Sequence, residues 1–219
     1  MRCLNNLIVF EGIDGCGKTT QVERFVKKLE DTYDKSGYTI CKEAEPTKNG
    51  VGKFLREEVL SGKTLLTTKV IARLFAADRE SHLEELRTRE KGKFFTVCDR
   101  YIASNVAYQG QDDLKLRDFI LEQNAQFERP FITFYLRVDE KDVPKVFERV
   151  CKRGETKEIF DQVDTQKKLS KVFDDLLIHD QQGYTDWLCV VDASKSEDEV
   201  ADKIWTEFCR ILEEDIKDE

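Results

Sequence analysis

A short glycine-rich stretch near the start of the chain restricts its fold more than any other feature. Residues 12–19 read Gly-Ile-Asp-Gly-Cys-Gly-Lys-Thr, and they lie between the apolar run 7–10 and a segment, 22–29, whose apolar residues recur with helical spacing. A strand, such a loop and a helix together bind phosphate, because glycines let backbone N–H groups surround the anion and the helix N-terminus adds a positive dipole end. The pattern predicts a nucleotide-binding loop.

The rest of the chain alternates short apolar runs with longer segments of helical period. Such alternation, with strands that are apolar almost throughout, favours a parallel sheet covered on both faces. We therefore predict an α/β fold of the P-loop NTPase type, a doubly wound parallel five-stranded sheet with helices on both faces. The predicted strands are 7–10, 38–41, 94–98, 131–136 and 188–191.

Four helices follow from apolar stripes at helical spacing. They cover 22–29, a segment from Thr68 to Lys91 that begins with the run 70–75, a segment around 169–177, and a terminal helix through 200–212. Ser196 and Glu199 have the spacing of a capping box at the start of the last one.

Composition restricts the remaining possibilities. The 219 residues contain no Pro/Gly/Ser-rich linker, so we predict a single domain spanning 1–219. The net charge of −8 argues against binding to nucleic acid or to a membrane surface. The seven cysteines are scattered without a Cys-x-x-Cys pair, which indicates reduced thiols and a cytoplasmic location.

A second motif follows the third predicted strand, which ends in Asp99-Arg100-Tyr101. Lys18 of the glycine-rich loop is expected to reach the β- and γ-phosphates, and the Thr19 hydroxyl and the Asp99 carboxylate suit Mg²⁺ and its water shell. Arg100 offers a bidentate fork for the phosphate of an acceptor. No Asn-Lys-x-Asp guanine-reading motif is present, which argues against a GTPase. The two motifs favour a nucleoside monophosphate kinase.

These residues resemble the thymidylate kinase family. Residues 10–21 are similar to its phosphate loop almost residue for residue, and 99–110 are similar to its second motif. Weaker matches follow the family order at Glu45-Pro46, at 74–79, and at 191–194 with Glu199-Val200. The resemblance implies transfer of the γ-phosphoryl group of ATP to dTMP, giving ADP and dTDP for DNA precursor synthesis, with Mg²⁺ as the cofactor.

The resemblance also implies residue roles. Asp14 would lie near the sugar 3′-hydroxyl, Arg79 and Asn105 would read the thymine edge, Tyr108 would pack on the deoxyribose, and Arg100 would hold the acceptor phosphate. The implied ATP-binding residues are Gly12, Asp14, Gly15, Cys16, Gly17, Lys18, Thr19 and Thr20. The implied dTMP-binding residues are Asp14, Pro46, Arg79, Arg100, Ser104, Asn105, Tyr108 and Gln109. The implied catalytic residues are Lys18, Arg100, Arg153, Arg149 and Asp14, and the implied metal ligands are Thr19 and Asp99.

Simpler interpretations of four of these residues remain open at this point. Asp14 can be a carboxylate that stabilises its own loop, Asn105 a helix cap, Tyr108 a core aromatic and Arg100 a partner in a surface ion pair.

A basic cluster at 149–157 stands where the family has its catalytic lid. The phosphate loop has no arginine among its variable positions, so a lid arginine is expected instead. We predict a mobile basic lid around 149–160, with Arg153 as the first candidate and Arg149 as the second. A solvated helix is the competing interpretation of this charge run.

Two departures from the family pattern affect the expectations. Ala44 stands where many members have an arginine before Glu-Pro, and Arg73, Arg56 and Lys53 are candidates to compensate for it. Cys16 replaces a small residue at a helix N-terminus, where the pKa of a thiol can be lowered, so we expect a reactive thiol whose alkylation blocks ATP binding.

Two other functions remain possible. A deoxynucleoside kinase would use a carboxylate base after the second strand, where Glu43 and Glu45 lie. A non-catalytic nucleotide-binding regulator would share the fold without the reaction. Family members commonly form homodimers, and by resemblance we expect a homodimer whose interface involves the helix 68–91.

Overall fold

The structure, a computed structural model, describes residues 3–89, 93–152, 163–179 and 184–218. The strands are β1 Cys3–Glu11, β2 Thr39–Ala44, β3 Phe94–Asp99, β4 Arg129–Arg137 and β5 Trp187–Asp192. The helices are α1 Lys18–Tyr33, α2 Gly50–Phe54, α3 Thr68–Arg89, α4 Ile102–Asn105, α5 Leu114–Asn124, α6 Val143–Lys152, α7 Val163–Asp174 and α8 Glu197–Asp218. Wider π-helical turns continue α2 through Leu55–Val59, α4 through Val106–Gly110 and α7 through Asp175–His179, and 3₁₀ turns lie at Asp34–Ser36 and Glu140–Asp142.

The five strands form one sheet in the order β2-β3-β1-β4-β5, and every neighbouring pair is parallel. The chain builds β2 and β3 on one side of β1 and then β4 and β5 on the other side, so β1 lies at the point where the topology reverses. Ligands of such sheets bind beyond the carboxyl ends of the strands at that point. The predicted fold class is confirmed.

Successive side chains of β4 face opposite helical layers, as the pleat of a strand requires. The Phe134 ring lies 5.7 Å from that of Phe25 on α1, whereas the Tyr135 ring stacks 5.8 Å from that of Phe173 on α7. Because both faces of the sheet are buried in this way, the strands are apolar almost throughout their length.

All five predicted strands are present, but β2 is longer than its prediction and runs to Ala44. Lys42 and Glu43 end the apolar run in the sequence, yet β2 is an edge strand whose residues are exposed or half-buried. Such a strand accepts polar side chains while its backbone still pairs with β3. The extension brings Glu45 to the edge of the sheet where the loop after β1 lies.

The predicted helices are also present, with one change in the buried face of α3. The run 70–75 is only partly buried at its large residues, and the buried stripe instead passes through Ala72, Ala76, Arg79, Leu83 and Leu86. The capping box at α8 is confirmed, since Glu199 accepts from the Ser196 backbone N–H at 3.0 Å and donates from its own N–H to the Ser196 hydroxyl at 3.3 Å. Among the helices of the described ranges, none is long and apolar enough to cross a membrane.

An aromatic cluster joins α1 and α8 to the sheet, and Phe25 is its centre. The ring of Phe25 lies within 5.1–6.0 Å of the rings of Phe10, Phe134, Trp205 and Phe208. We predict that Phe25→Ala lowers the free energy of unfolding by about 3–5 kcal/mol, because it removes buried contacts and leaves a cavity. Urea denaturation measures the change.

The matched control is Lys27→Ala, an exposed position on the same helix, which should change the free energy of unfolding by no more than about 0.5 kcal/mol. Equal losses in the two variants would contradict the central position of Phe25.

Candidate active site

The two motifs singled out in the sequence meet at the carboxyl ends of β1 and β3. Phe10 pairs with Asp99 in the sheet register, and the backbone N–H of Arg100 donates to the Phe10 carbonyl at 2.9 Å. The glycine-rich loop therefore begins beside the Asp99-Arg100 turn, although the two are far apart in sequence.

The glycine-rich loop requires glycine at the positions where it bends. Gly12, Gly15 and Gly17 have φ of 145°, 77° and 94°, which side chains rarely allow. A Cβ atom on Gly12 would also lie 2.7 Å from the carbonyl oxygen of Leu136 on β4. At the end of the loop the Lys18 ammonium is buried and donates to the carbonyls of Gly12 at 2.9 Å and Ile13 at 2.7 Å. The loop thus holds a buried cation beside a concave run of backbone.

Thr19 and Asp99 form a pair suited to Mg²⁺. The Thr19 hydroxyl donates to Asp99 Oδ2 at 3.0 Å, and Asp99 Oδ1 is buried with no hydrogen-bond partner among the described residues. Mg²⁺ in nucleotide sites takes one or two protein ligands and completes its shell with water and phosphate oxygens. A hydroxyl and a carboxylate oxygen without a hydrogen-bond partner in the described ranges therefore fit Mg²⁺.

Asp14, in the middle of the loop, accepts hydrogen bonds from three other elements. Its Oδ1 accepts from Arg100, and its Oδ2 accepts from the Tyr108 hydroxyl at 2.8 Å and from Gln166 Nε2 at 3.1 Å. Burial alone would raise the pKa of Asp14, but the charges of Arg100 and Lys18 outweigh it and hold that pKa below its ordinary value. Asp14 is therefore a charged junction between the loop, the turn after β3 and α7.

Arg100 faces the loop from an unusual backbone conformation. Its φ of 74° lies in the left-handed region, and its guanidinium donates to the Ser104 hydroxyl at 3.2 Å and to the Gly12 carbonyl at 3.4 Å. The same group lies 4.8 Å from the centre of the Tyr108 ring. A non-glycine residue persists in this region when its surroundings hold it there, and such residues concentrate at functional sites.

Glu11 is one of the groups that hold this turn, and sequence analysis did not identify it. The carboxylate is buried, accepts from the backbone N–H groups of Tyr101 at 2.9 Å and Ser104 at 3.1 Å, and also accepts from the Ser104 hydroxyl. Burial raises the pKa of Glu11 above its ordinary value. Within the stretch 10–21, Glu11 has no role of its own that the sequence alone indicates, because its partners, Tyr101 and Ser104, follow β3 and lie far away along the chain.

A second buried network contains the residues implied to read thymine. Arg79 is fully buried and donates to Asn124, whose amide nitrogen donates to Asn105 Oδ1 at 3.1 Å. Asn105 in turn donates to Gln109 Oε1 at 3.0 Å. The structure thus brings Arg79, Asn105 and Gln109 together through Asn124, a residue that sequence analysis missed because no motif contains it.

Glu45 and Pro46 complete this side of the site. The two carboxylate oxygens of Glu45 are engaged by Arg79 at 2.5 Å and by His82 Nδ1 at 3.1 Å, and both partners are buried. Pro46 is buried, and its carbonyl accepts from Arg56 Nε at 2.7 Å. Arg56 and Arg73 were both candidates to replace the arginine that is absent at position 44. Arg56 lies against the Glu45-Pro46 segment, whereas the Arg73 guanidinium lies 5.2 Å from the centre of the Phe119 ring.

Thr20 is half-buried in the first turn of α1, and Cys16 is buried in the loop. The expectation of a lowered thiol pKa at Cys16 is wrong, because burial raises that pKa and the nearby charges of Lys18 and Arg100 do not offset the effect. The helix N-terminus indicated a reactive thiol in the sequence, but desolvation is the larger influence.

Most of the predicted basic lid lies outside the described residues. Arg153 and positions 153–160 lie outside the described residues, and for Arg149 the description covers its place in α6 and not its side chain. The lid and its two arginines stay predictions.

An open pocket of about 470 Å³ adjoins Tyr108 and Gln109, two of the residues implied to bind dTMP. Val59, Ile71 and Leu116 give it an apolar lining. The lining described for this pocket does not include the glycine-rich loop or Arg100, so the pocket lies beside the site rather than at its centre.

Comparison with known proteins points to one family. The family model described as thymidylate kinase matches residues 10–204. A protein of Methanocaldococcus jannaschii named "Probable thymidylate kinase" is 42% identical over 174 residues, which cover 75% of this chain and 78% of that protein. One of the same name from Methanococcus maripaludis strain C7 is 33% identical over 204 residues, covering 92% of this chain and 94% of that protein.

Among solved structures, thymidylate kinase from Candida albicans superposes with a TM-score of 0.74. The match covers 94% of this chain and 92% of that one at 22% identity, which shows a shared fold. Together with the family match over residues 10–204, these findings lead to one conclusion: the chain belongs to the thymidylate kinase family.

Proposed function

We propose that this chain transfers the γ-phosphoryl group of ATP to dTMP, giving ADP and dTDP, with Mg²⁺ as its cofactor. The observation that carries the proposal is the position of Arg100, a guanidinium facing the phosphate loop beside Asp14 and Tyr108. A hydrolase needs no second phosphate-binding cation at this place, whereas a kinase whose acceptor is a nucleoside monophosphate does.

On the donor side, backbone N–H groups of the loop and the ammonium of Lys18 bind the phosphates of ATP. Gly12, Gly15, Cys16, Gly17 and Thr20 shape that cradle together with Asp14. Thr19 and Asp99 hold Mg²⁺, a role supported by the buried Asp99 oxygen that lacks a partner among the described residues. The cofactor, when bound, neutralises charge on the phosphate oxygens.

On the acceptor side, Arg100 binds the phosphate of dTMP and Asp14 faces its sugar 3′-hydroxyl. Tyr108 packs against the deoxyribose, while Arg79 and Asn105 read the thymine edge. Pro46, Ser104 and Gln109 complete the pocket.

The reaction requires the protein to align the two substrates and to supply positive charge, and it requires no proton abstraction. The acceptor is already an anionic phosphate oxygen, so no general base is needed. Lys18 and Arg100 hold the two phosphates toward each other, and fixed donors that require no reorganisation stabilise the charge that develops during transfer. Arg153, or else Arg149, supplies a further cation from a basic lid around 149–160.

A deoxynucleoside kinase is the less favoured function. It would need a free carboxylate base after β2, but both oxygens of Glu45 are occupied by Arg79 and His82. Glu43 lies 3.8 Å from His82 Nε2, so it faces the same buried histidine. A non-catalytic regulator would have no use for both Lys18 and Arg100 at this site.

The proposal also covers the organisation of the protein. We propose a single kinase domain over 1–219, a homodimer formed through α3, a cytoplasmic location, and no nucleic acid or membrane partner. The homodimer rests on family membership, and the partly exposed apolar residues at the start of α3 support it.

The proposed function predicts a specific acceptor range. In a coupled ADP-release assay with ATP and Mg²⁺, we expect turnover with dTMP, weaker turnover with dUMP, and none with thymidine. Loss of the thymine methyl costs roughly 10-fold or more in kcat/KM, as expected for one apolar group in a pocket. Parallel reactions with dCMP, dGMP, AMP and UMP test the base and sugar. Turnover of thymidine in place of dTMP would contradict the assignment of Arg100.

The buried ammonium of Lys18 predicts a large kinetic effect. We expect Lys18→Ala to lower kcat by roughly 10²-fold or more, because a preorganised charge on the transferred group is lost. Steady-state kinetics with dTMP measure the change, and Lys27→Ala on the same helix is the control that should stay near wild type. Near-normal kcat in Lys18→Ala would refute the donor site.

The contacts of Glu11 predict that its substitution weakens binding of the acceptor dTMP. Glu11→Ala leaves two buried N–H groups without their acceptor, and each orphaned group costs about 1–3 kcal/mol of stability. Because the same change loosens the turn that holds Arg100, KM for dTMP should rise more than KM for ATP. Glu11→Gln keeps one acceptor oxygen and should retain most of both properties. An equal rise of the two KM values would argue that Glu11 has no specific link to Arg100.

A further inference from the structure

Gln166, in the first turns of α7, contacts the phosphate loop through two hydrogen bonds to a single residue. The backbone N–H of Asp14 donates to Gln166 Oε1 at 3.0 Å, and Gln166 Nε2 donates to Asp14 Oδ2 at 3.1 Å. The side chain is 1% exposed, and 152 positions separate it from Asp14 along the chain. A buried amide therefore joins α7 to the loop after β1.

The chemistry of the two partners determines the direction of this amide. A backbone N–H can only donate and an ionised carboxylate can only accept, so Oε1 must face the former and Nε2 the latter. Glutamate offers no donor in its ionised form, lysine offers no acceptor, and asparagine is one methylene shorter. The two hydrogen bonds can therefore form together only with glutamine at this position.

The same Asp14 carboxylate binds the groups of the acceptor side. Arg100 donates to Oδ1 and the Tyr108 hydroxyl donates to Oδ2, the oxygen that Gln166 also contacts. Gln166 therefore shares one Asp14 oxygen with Tyr108, while Arg100 binds the other oxygen.

We propose that Gln166 is a positioning residue for phosphoryl transfer. It holds the backbone and the carboxylate of Asp14 in place from α7, and through Asp14 it orients Arg100 and Tyr108. The proposal rests on the proposed function, in which Asp14 and Arg100 bind the sugar and the phosphate of dTMP.

The first test compares two alanine substitutions on α7. Gln166→Ala removes both hydrogen bonds, one of them to a charged group, and should lower kcat/KM for dTMP about 10- to 100-fold. Lys168→Ala, at an exposed position of the same helix, should change it less than about twofold. A kcat/KM for Gln166→Ala within twofold of wild type would overturn the proposal.

The second test uses pH to separate positioning from packing. Gln166→Glu has nearly the same shape, but when ionised it sets a second carboxylate against Asp14. Two carboxylates that share a site bind one proton more tightly than either would alone, so the pKa of the pair is raised. Once protonated, the introduced carboxyl group again has one donor and one acceptor, which match the two partners of the native amide.

The sign of the pH effect follows from this chemistry. Relative to wild type at each pH, the activity of Gln166→Glu should recover as the pH falls from about 8.5 to about 5.5, because the shared proton is then bound. Gln166→Ala should show no such recovery. Arg100 from the turn after β3 and Lys18 from α1 face Asp14 in all three proteins, so a pH response confined to Gln166→Glu comes from the introduced carboxyl group.

Melting temperatures without nucleotide give a readout that does not depend on turnover. The deficit of Gln166→Glu against wild type should shrink over the same fall in pH. Relative activity and melting deficit that are both independent of pH would overturn the proposal. If wild type fails to phosphorylate dTMP, the proposed function fails and the kinetic role of Gln166 falls with it, whereas a pH-dependent melting deficit would still support the contact with Asp14.

Discussion

The pairing of β1 with β3 is the interaction on which the rest of the site depends. It places Phe10 beside Asp99, so that the glycine-rich loop and the Asp99-Arg100 turn begin at the same edge of the sheet. The hydrogen bond from Arg100 N–H to the Phe10 carbonyl extends this pairing by one residue beyond β3. A shift of one residue would turn the side chains of β3 to the opposite faces and separate Thr19 from Asp99. The register of β1 against β3 therefore decides which side chains can meet at the site.

Three carboxylates, those of Glu11 and Glu45 buried and that of Asp14 half-buried, organise what the strands bring together, and each holds a different kind of partner. Glu11 accepts from backbone N–H groups, Asp14 accepts from the side chains of three elements, and Glu45 accepts from a buried arginine and a histidine. A buried charge is tolerated when its hydrogen bonds are complete. Their combined effect is a site whose dipoles and cations already have their positions before a nucleotide binds.

The sequence alone predicted much of the fold but only part of the site. Strands, helix stripes and the capping box follow from local periodicity and spacing, which the chain carries in neighbouring residues. Glu11, Asn124 and Gln166 could not be found this way, because their partners lie on other elements. The lowered pKa expected for Cys16 failed for a related reason, since burial is a property of the folded chain. The polar end of β2 was missed because an edge strand needs no continuous apolar run.

The close approach of Gly12 to Leu136 has a consequence for how this protein can change over evolutionary time. The donor loop lies against the backbone of β4, where even one added carbon atom would collide with a carbonyl oxygen. The acceptor side is built differently, from side chains such as Arg79, Asn105 and Gln109 on helices. Substitution can alter those side chains without moving the sheet. A change of nucleotide preference at the acceptor therefore requires only that neighbouring side chains repack, whereas a side chain at Gly12 would require the backbone of β4 to move.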